Sequence, residues 1–210
     1  DYVTYPVTSN SFIVAVFLFL FFSSLLLATA RDTDYSTLGN YLRDYYHLST
    51  EAIGWQFGLN AMLVVALQIP LTHWGERWGL RRQLLAGCVL LAVGLGMLPF
   101  GSGLLYVCLS TVIWTLGEAF FMPPLNMLVM RDAQGGKSGQ YFGLFFMSWS
   151  ASALLSPVLS GQLYGHFGGH SVWLASATLA LLTLPLICLA TRSSTQAKAL
   201  ATSERTASLS

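Results

Sequence analysis

The chain has 210 residues, of which 54% are hydrophobic and only 9% are charged, and its formal net charge is +1. A soluble domain carries about 25% charged residues, so this composition excludes an ordinary soluble domain, and the near-neutral charge gives no sign of a nucleic-acid partner. Four long stretches lack Asp, Glu, Lys and Arg: 2–30, 52–75, 83–117 and 138–191. The sequence therefore predicts an all-α membrane protein that is embedded in a lipid bilayer.

Six membrane-spanning helices are predicted from these stretches, because a bilayer core about 30 Å thick needs roughly 20 helical residues per crossing. Runs this long differ from the short alternating strands of a β-barrel. The predicted spans are 9–30, 52–73, 84–100, 104–130, 141–163 and 172–191. The segment 192–210 is rich in Ser, Thr and Ala without an apolar period, which predicts a disordered tail.

The first span is not a signal peptide, because no basic region precedes it and its apolar stretch is too long. The chain begins at Asp1 directly before this span, so we expect it to be the second part of a longer protein. Arg31, Asp32 and Asp34 follow the span. The sequence allows them to lie either in an external loop or on the wall of a cavity.

Two amide side chains share one face of the second span, because Gln56 and Asn60 are four residues apart. Amides inside a membrane line a polar cavity or form hydrogen bonds between helices. The pattern predicts one of these two roles for the pair.

The connector that follows, 72–83, reads THWGERWGLRRQ and holds three of the ten basic residues of the chain. With six spans, eight basic residues fall on its side of the membrane and two on the other. Positive charge is enriched in cytoplasmic loops. This side, with both chain termini, is therefore predicted to face the cytoplasm.

Glu118 is the one acidic residue deep inside a predicted span, and Thr111 and Thr115 lie on the same helical face. An ionised carboxylate is costly in hydrocarbon, so acids at this depth often have a function. We consider two roles for Glu118: it carries a proton, or it is a structural carboxyl that is hydrogen-bonded to a neighbouring helix.

The fifth span carries a serine at every fourth position: Ser148, Ser152, Ser156 and Ser160. Small residues at this spacing let two membrane helices approach closely, so the stripe predicts helix packing. The sequence contains no CxxC or HExxH motif and no nucleophile or nucleotide-binding signature. No metal, cofactor or enzymatic activity is predicted.

The connector 72–83 closely resembles the loop motif of the major facilitator superfamily, G-x-x-x-D-R-x-G-R-R. Glu76 stands at the acidic position, Arg77 follows it, Gly79 is in place, and Arg81 and Arg82 end the motif, whereas Thr72 replaces the first glycine. The resemblance implies that this loop helps to hold the cytoplasmic side closed. The alternative is that its arginines only anchor the loop in the cytoplasm.

Three further stretches are similar to drug:proton antiporters of that superfamily: 41–79, GEAFFMPP at 117–124 and SPVLSG at 156–161. Among these antiporters we expect multidrug efflux proteins to be the nearest match. The resemblance implies that 9–191 is the C-terminal half of a twelve-helix transporter, built of two inverted three-helix repeats. Residues 1–8 would then be the cytoplasmic end of the central linker.

A transporter of this kind would export small apolar or cationic molecules by alternating access, driven by protons. Glu118 is then the candidate proton or cation site, and the candidate cavity residues are Gln56, Asn60, Trp114, Thr115 and Asn126. The implied partners are the substrate, protons, the bilayer and an N-terminal six-helix half, in a bacterial inner membrane. The alternative is a freestanding six-helix permease or channel subunit that works as an oligomer.

Overall fold

The structure, a computed structural model, describes the backbone of residues 10–132 and 138–207, so the predicted linker at 1–8 lies outside it. It describes side chains at 25, 28–75, 77–127, 143 and 145–189. The backbone forms six α-helices: α1 (Asn10–Asp44), α2 (Thr50–Gly75), α3 (Leu80–Met97), α4 (Leu104–Asp132), α5 (Ser138–Phe167) and α6 (Gly169–Ala207).

Four helical segments of the described part are long and apolar enough to cross a membrane by length and composition: Thr50–Gly75, Leu80–Phe100, Leu104–Met127 and Gly169–Leu189. These segments correspond to four of the six predicted spans. The described parts of α1 and α5 are less apolar, because α1 carries charged and hydroxyl side chains and α5 carries its serine stripe.

Helix α1 extends beyond the predicted end of the first span and reaches Asp44. Its continuation packs inward, because Leu38, Tyr41 and Leu42 recur at helical spacing and are fully buried. Helix α6 also continues, with helical backbone through 192–207 where a disordered tail is predicted. Ala, Gln, Lys, Leu and Glu in this segment are good helix formers.

The helices pack in a pattern that repeats between the two halves of the chain. Helix α1 packs against α5 and α6, α4 packs against α2 and α3, and α3 packs against α6. Exchanging the first three helices for the last three leaves this set of pairs unchanged. Along most of their length the described parts of α1 and α4 do not pack against each other.

The α1–α5 pair is joined by hydroxyl groups. The Oγ1 of Thr33 lies 3.1 Å from the Oγ of Ser156, and Thr37 donates to Ser160 at 2.7 Å. The predicted serine stripe therefore packs closely, and its hydroxyls find partners on the neighbouring helix, as polar groups in hydrocarbon require.

Glycines bring α3 and α4 together more tightly than side chains would allow. A Cβ atom on Gly117 would lie 2.6 Å from the backbone nitrogen of Leu91, and one on Gly94 would lie 2.6 Å from the backbone nitrogen of Trp114. The Oγ of Ser110 donates to the carbonyl of Gly94 at 2.6 Å across the same seam. The close approach of the two backbones fixes how α4 presents its opposite face.

We predict that Gly117→Ala destabilises the protein, because its methyl group has no room at the α3 backbone, and overpacking of this kind costs about 1–3 kcal/mol. Gly39→Ala is the matched control, since a Cβ there would meet Ile53 at an ordinary 4.0 Å, and replacing a helical glycine with alanine is otherwise favourable. Thermal unfolding of the purified protein in detergent measures both. An equal melting temperature for the two variants would contradict the close α3–α4 contact.

Candidate functional site

Glu118 forms an ion pair with Arg31, and the pair joins α4 to α1. The Nε of Arg31 lies 2.7 Å from the Oε1 of Glu118. Arg31 also lies 3.2 Å from the Oδ1 of Asp32 through Nη1 and donates to the hydroxyl of Tyr35 at 3.0 Å through Nη2. Its guanidinium carbon is 5.8 Å from the centre of the Trp149 ring. The guanidinium is therefore held by groups on three helices.

Asp32 connects this group to the α1–α5 seam. The Oγ of Ser152 donates to the Oδ2 of Asp32 at 2.7 Å, while the Oδ1 of Asp32 faces Arg31. A carboxylate that accepts bonds on both oxygens keeps a fixed orientation. Asp32 therefore positions Arg31 from the α5 side.

The pair lies at the wall of a cavity of about 420 Å³ between α1, α2 and α4. This volume is in the range of small-molecule sites. The cavity is lined by Arg31, Tyr35, Phe57, Asn60, Ala61, Val64, Val65, Gln68, Glu118, Ala119 and Met122. Its walls are mostly apolar, with the ion pair and two amides as the polar groups. In the described part of the chain, no three His, Cys, Asp or Glu side chains come together as a metal site.

Two amide side chains of α2, Gln56 and Asn60, form hydrogen bonds with threonines of α4, whereas Gln68 is the second amide that lines the cavity. Gln56 donates to Thr111 at 3.1 Å, and Asn60 donates to Thr115 at 2.8 Å. Both amides therefore bond between helices, which is one of the two roles that the sequence left open. Asn60 takes both roles, because it also lines the cavity.

The other predicted cavity residues lie elsewhere, since Gln56, Trp114, Thr115 and Asn126 are not among the residues that line this cavity. Gln56, Trp114 and Thr115 are fully buried, and Trp114 packs at Gly94 of α3. Asn126 is exposed two turns beyond Glu118. All four are correctly assigned to α2 or α4, but the side of the helix that faces the cavity depends on how these helices pack.

Arg31, Asp32 and Asp34 lie inside α1 and not in an external loop. This placement decides the question that the sequence left open, and it puts Arg31 on the cavity wall. The signal that marks it is the buried set Leu38, Tyr41 and Leu42, whose helical spacing continues α1 past the charges. It also removes Arg31 from the count of loop charges and leaves Arg43 as the basic residue at that end.

The connector 72–83 comprises the end of α2, a single turn of 3₁₀ helix at Glu76–Trp78, Gly79, and the start of α3. Gly79 has φ of +80°, a conformation that favours glycine, and this explains the glycine of the motif. Arg77, Arg81 and Arg82 are exposed. The Nη2 of Arg81 lies 3.5 Å from the Sγ of Cys188 on α6, so the loop touches the last helix.

Thr72, which replaces the first glycine of the motif, bonds within its own helix by donating to the carbonyl of Gln68 at 2.6 Å. The close approach in this loop occurs instead at Gly75, where a Cβ atom would lie 2.1 Å from the Nε2 of Gln83. The side chain of Glu76 lies outside the described residues.

Comparison with known proteins agrees with this fold. A model of the Major Facilitator Superfamily matches residues 11–210. The chain is 30% identical over 144 residues to multidrug resistance protein MdtH of Aeromonas hydrophila, which covers 66% of this chain and 36% of that protein. It is 26% identical over 146 residues to the uncharacterized MFS-type transporter YqjV of Bacillus subtilis, which covers 68% of this chain and 35% of that protein.

Among solved structures, the chain is similar to a POT family transporter crystallised in complex with a thioalcohol-conjugated peptide. The TM-score is 0.74 at 21% sequence identity, and the match covers 82% of this chain and 37% of the other. Similarity at this identity shows a shared fold. The chain spans about a third of the length of the curated relatives that it matches.

We predict that Arg31 and Glu118 are energetically coupled. Removing one partner leaves the other charge buried and unpaired, so Arg31→Gln and Glu118→Gln should each destabilise the protein, and the double variant should lose less than the sum. Interaction energies in double-mutant cycles are about 0.5–3 kcal/mol for contacting residues. Unfolding of all four proteins in detergent measures the coupling.

A control cycle uses Arg43→Gln with Glu51→Gln, since both residues are exposed. Their effects should add within about 0.5 kcal/mol. Additive effects in the Arg31 and Glu118 cycle as well would contradict the ion pair.

Proposed function

This chain belongs to the Major Facilitator Superfamily, and on that premise we propose that it is the C-terminal half of a secondary transporter that exports small apolar or cationic molecules in exchange for protons. The prediction of a partial major facilitator protein that resembles MdtH is confirmed by the comparisons. The chain is therefore an integral membrane transporter protein. Alternating access, the coupling ion and the substrate are the proposed part.

The observation that carries the proposal is the ion pair between Arg31 and Glu118 at the cavity wall. Since α1 and α4 scarcely contact each other elsewhere in the described structure, this pair is a main attraction across that gap. Protonation of Glu118 would neutralise its carboxylate and so weaken the attraction between Glu118 and Arg31. A proton that binds one arrangement of the helices better than the other shifts their populations, which is what coupled transport requires.

The substrate class follows from the charges and the walls. Two carboxyl side chains, Asp32 and Glu118, pair with one guanidinium, so the group has an excess negative charge and a positively charged molecule in the cavity would be attracted to Glu118. The apolar side chains Phe57, Val64 and Met122 would cover the hydrocarbon part of that molecule. Several of the relatives are named multidrug resistance proteins, which agrees with apolar or cationic substrates.

The proposed whole is a twelve-helix protein. The chain spans about a third of the length of its relatives, and its five most extensive helix–helix contacts map onto one another when the first three helices are exchanged for the last three. These two facts support two inverted three-helix repeats and a separate N-terminal half. The excess of basic residues in the loops on one side supports cytoplasmic termini, and the bacterial sources of the relatives support a bacterial inner membrane.

We predict that Glu118→Gln abolishes proton-driven efflux of a fluorescent cationic dye from everted vesicles, with at least about a tenfold loss of rate, which corresponds to about 1.4 kcal/mol. A glutamine keeps the size of the side chain but cannot carry a proton. The complete protein that contains this chain is used. Glu51→Gln, which changes an exposed acid at the start of α2, is the matched control and should retain efflux.

Unchanged efflux in Glu118→Gln would overturn the coupling role. If the correctly inserted wild-type protein moves no dye, the proposed substrate class is wrong, whereas the family assignment is unaffected.

We predict a milder effect for the double variant Arg81→Ala/Arg82→Ala, because these exposed arginines act on closure of the cytoplasmic side and not on the proton. The expected result is a several-fold slower efflux with an unchanged pH dependence. Arg43→Ala is the control, because Arg43 lies in the last turn of α1 and outside the connector 72–83. A wild-type rate in the double variant would show that Arg81 and Arg82 only anchor the loop in the cytoplasm.

A further inference from the structure

Asp34 is a buried acidic side chain that the ion pair does not use. It is 3% exposed, and its Oδ1 has no hydrogen-bond partner among the described residues. It lies four residues after Ala30 and four before Leu38, both fully buried, so it stands on the apolar face of α1. A carboxylate there would lack the compensation that a buried charge needs.

Asp34 is nevertheless close to the charges of the site. Arg31 precedes it by three residues on α1, nearly one helical turn, and such residues are neighbours on a helix surface. Arg31 in turn lies 2.7 Å from Glu118 through its Nε. One guanidinium therefore has two carboxyl groups within its range, Glu118 on α4 and Asp34 on its own helix, in addition to Asp32.

Asp32 is fixed in its role, since it faces Arg31 with one oxygen and accepts from Ser152 with the other. Glu118 and Asp34 are not equivalent in this structure, because Glu118 has the guanidinium and Asp34 has an oxygen without a partner. Two carboxylates near one guanidinium disfavour each other's ionised form. A partner for Glu118 and an unpartnered oxygen on Asp34 are what we expect when Glu118 is ionised and Asp34 is neutral.

We propose that Asp34 is a second acceptor for Arg31, and that the guanidinium exchanges between Glu118 and Asp34 while one proton occupies the carboxyl that it leaves. When Arg31 pairs with Asp34, Asp34 has released its proton and Glu118 has taken one, so the net charge of the three groups is unchanged. Asp34 lies about 4.5 Å further along α1 than Arg31. The exchange transfers the proton from Asp34 to Glu118 and breaks the ion pair that joins α1 to α4.

This inference rests on the proposed proton coupling, but it is tested on the carboxyl groups and does not require transport. Infrared spectra of the purified complete protein at neutral pH report the C=O stretch of protonated carboxylic acids. The signal of Asp34 is the wild-type spectrum minus that of Asp34→Asn. The expected result is a protonated carboxyl band in this difference.

The same subtraction is then made in the Glu118→Gln background. Arg31 has lost its partner on α4 in that background, so Asp34 should be ionised and the band should be absent. Asp44→Asn is the control, because Asp44 is an exposed acid at the end of α1 that accepts from Tyr164. Its subtraction should show no protonated band at neutral pH.

No band in the wild-type subtraction would overturn the inference, and so would a band that persists in the Glu118→Gln background, because Asp34 would then be neutral without any exchange of Arg31. If Asp34→Asn does not yield folded protein, Asp34→Glu replaces it, and the band should move in position. An unmoved band would assign the proton to another group. Absence of dye efflux with the expected infrared result would remove the proposed function and leave the exchange standing.

Discussion

A guanidinium inside a membrane-spanning bundle must be neutralised where it lies, because a charge in hydrocarbon is costly and Arg31 cannot give up its proton. The arrangement around it meets this requirement from several directions. Glu118 reaches it from α4, Asp32 from its own helix, and Ser152 of α5 holds Asp32 in place. The orientation of α1 relative to α4 and α5 therefore depends on one cation.

The packing of the other helices leaves space for this cation. Gly94 and Gly117 let α3 and α4 approach until their backbones touch, and the serine stripe brings α5 against α1. These two close seams pull α1 and α4 toward opposite neighbours. The space that opens between them, closed on the third side by α2, is the cavity. Small residues at two seams thus account for a gap between α1 and α4 that is large enough for a small molecule.

A buried ion pair at such a gap suits a conformational change better than it suits stability. Removing water from two charges cancels much of their attraction, so a buried pair contributes little net stability, and a change in the protonation of one partner reverses the balance. Asp34 next to the pair would lower the free-energy cost of breaking the Arg31–Glu118 contact, because the guanidinium would exchange one carboxylate for another. The wider fold can remain packed while the pair changes.

Local features of the sequence were sufficient to predict most of the helices and two residues of the cavity wall. Charge-free runs located the helices, because hydropathy is a property of each segment by itself. The cost of a carboxyl in hydrocarbon singled out Glu118 and the amide face singled out Asn60, and both line the cavity. Trp114, a cavity candidate under the family resemblance, packs against α3 instead, because a sequence shows that a helix has faces but not what each face meets.

The sequence by itself determined that this is a helical membrane protein of the major facilitator type, with a basic loop between α2 and α3 and an acid in α4. The tertiary structure alone decided that Arg31 is the partner of Glu118. The two residues are on the first and fourth helices, and the charges at 31, 32 and 34 mark the end of an apolar run when they are considered alone. They become part of a helix only when Leu38, Tyr41 and Leu42 have a core to pack against. The physical reason is that a charged side chain inside a membrane bundle needs an opposite charge beside it. Only the packing of the helices determines which residue provides that charge.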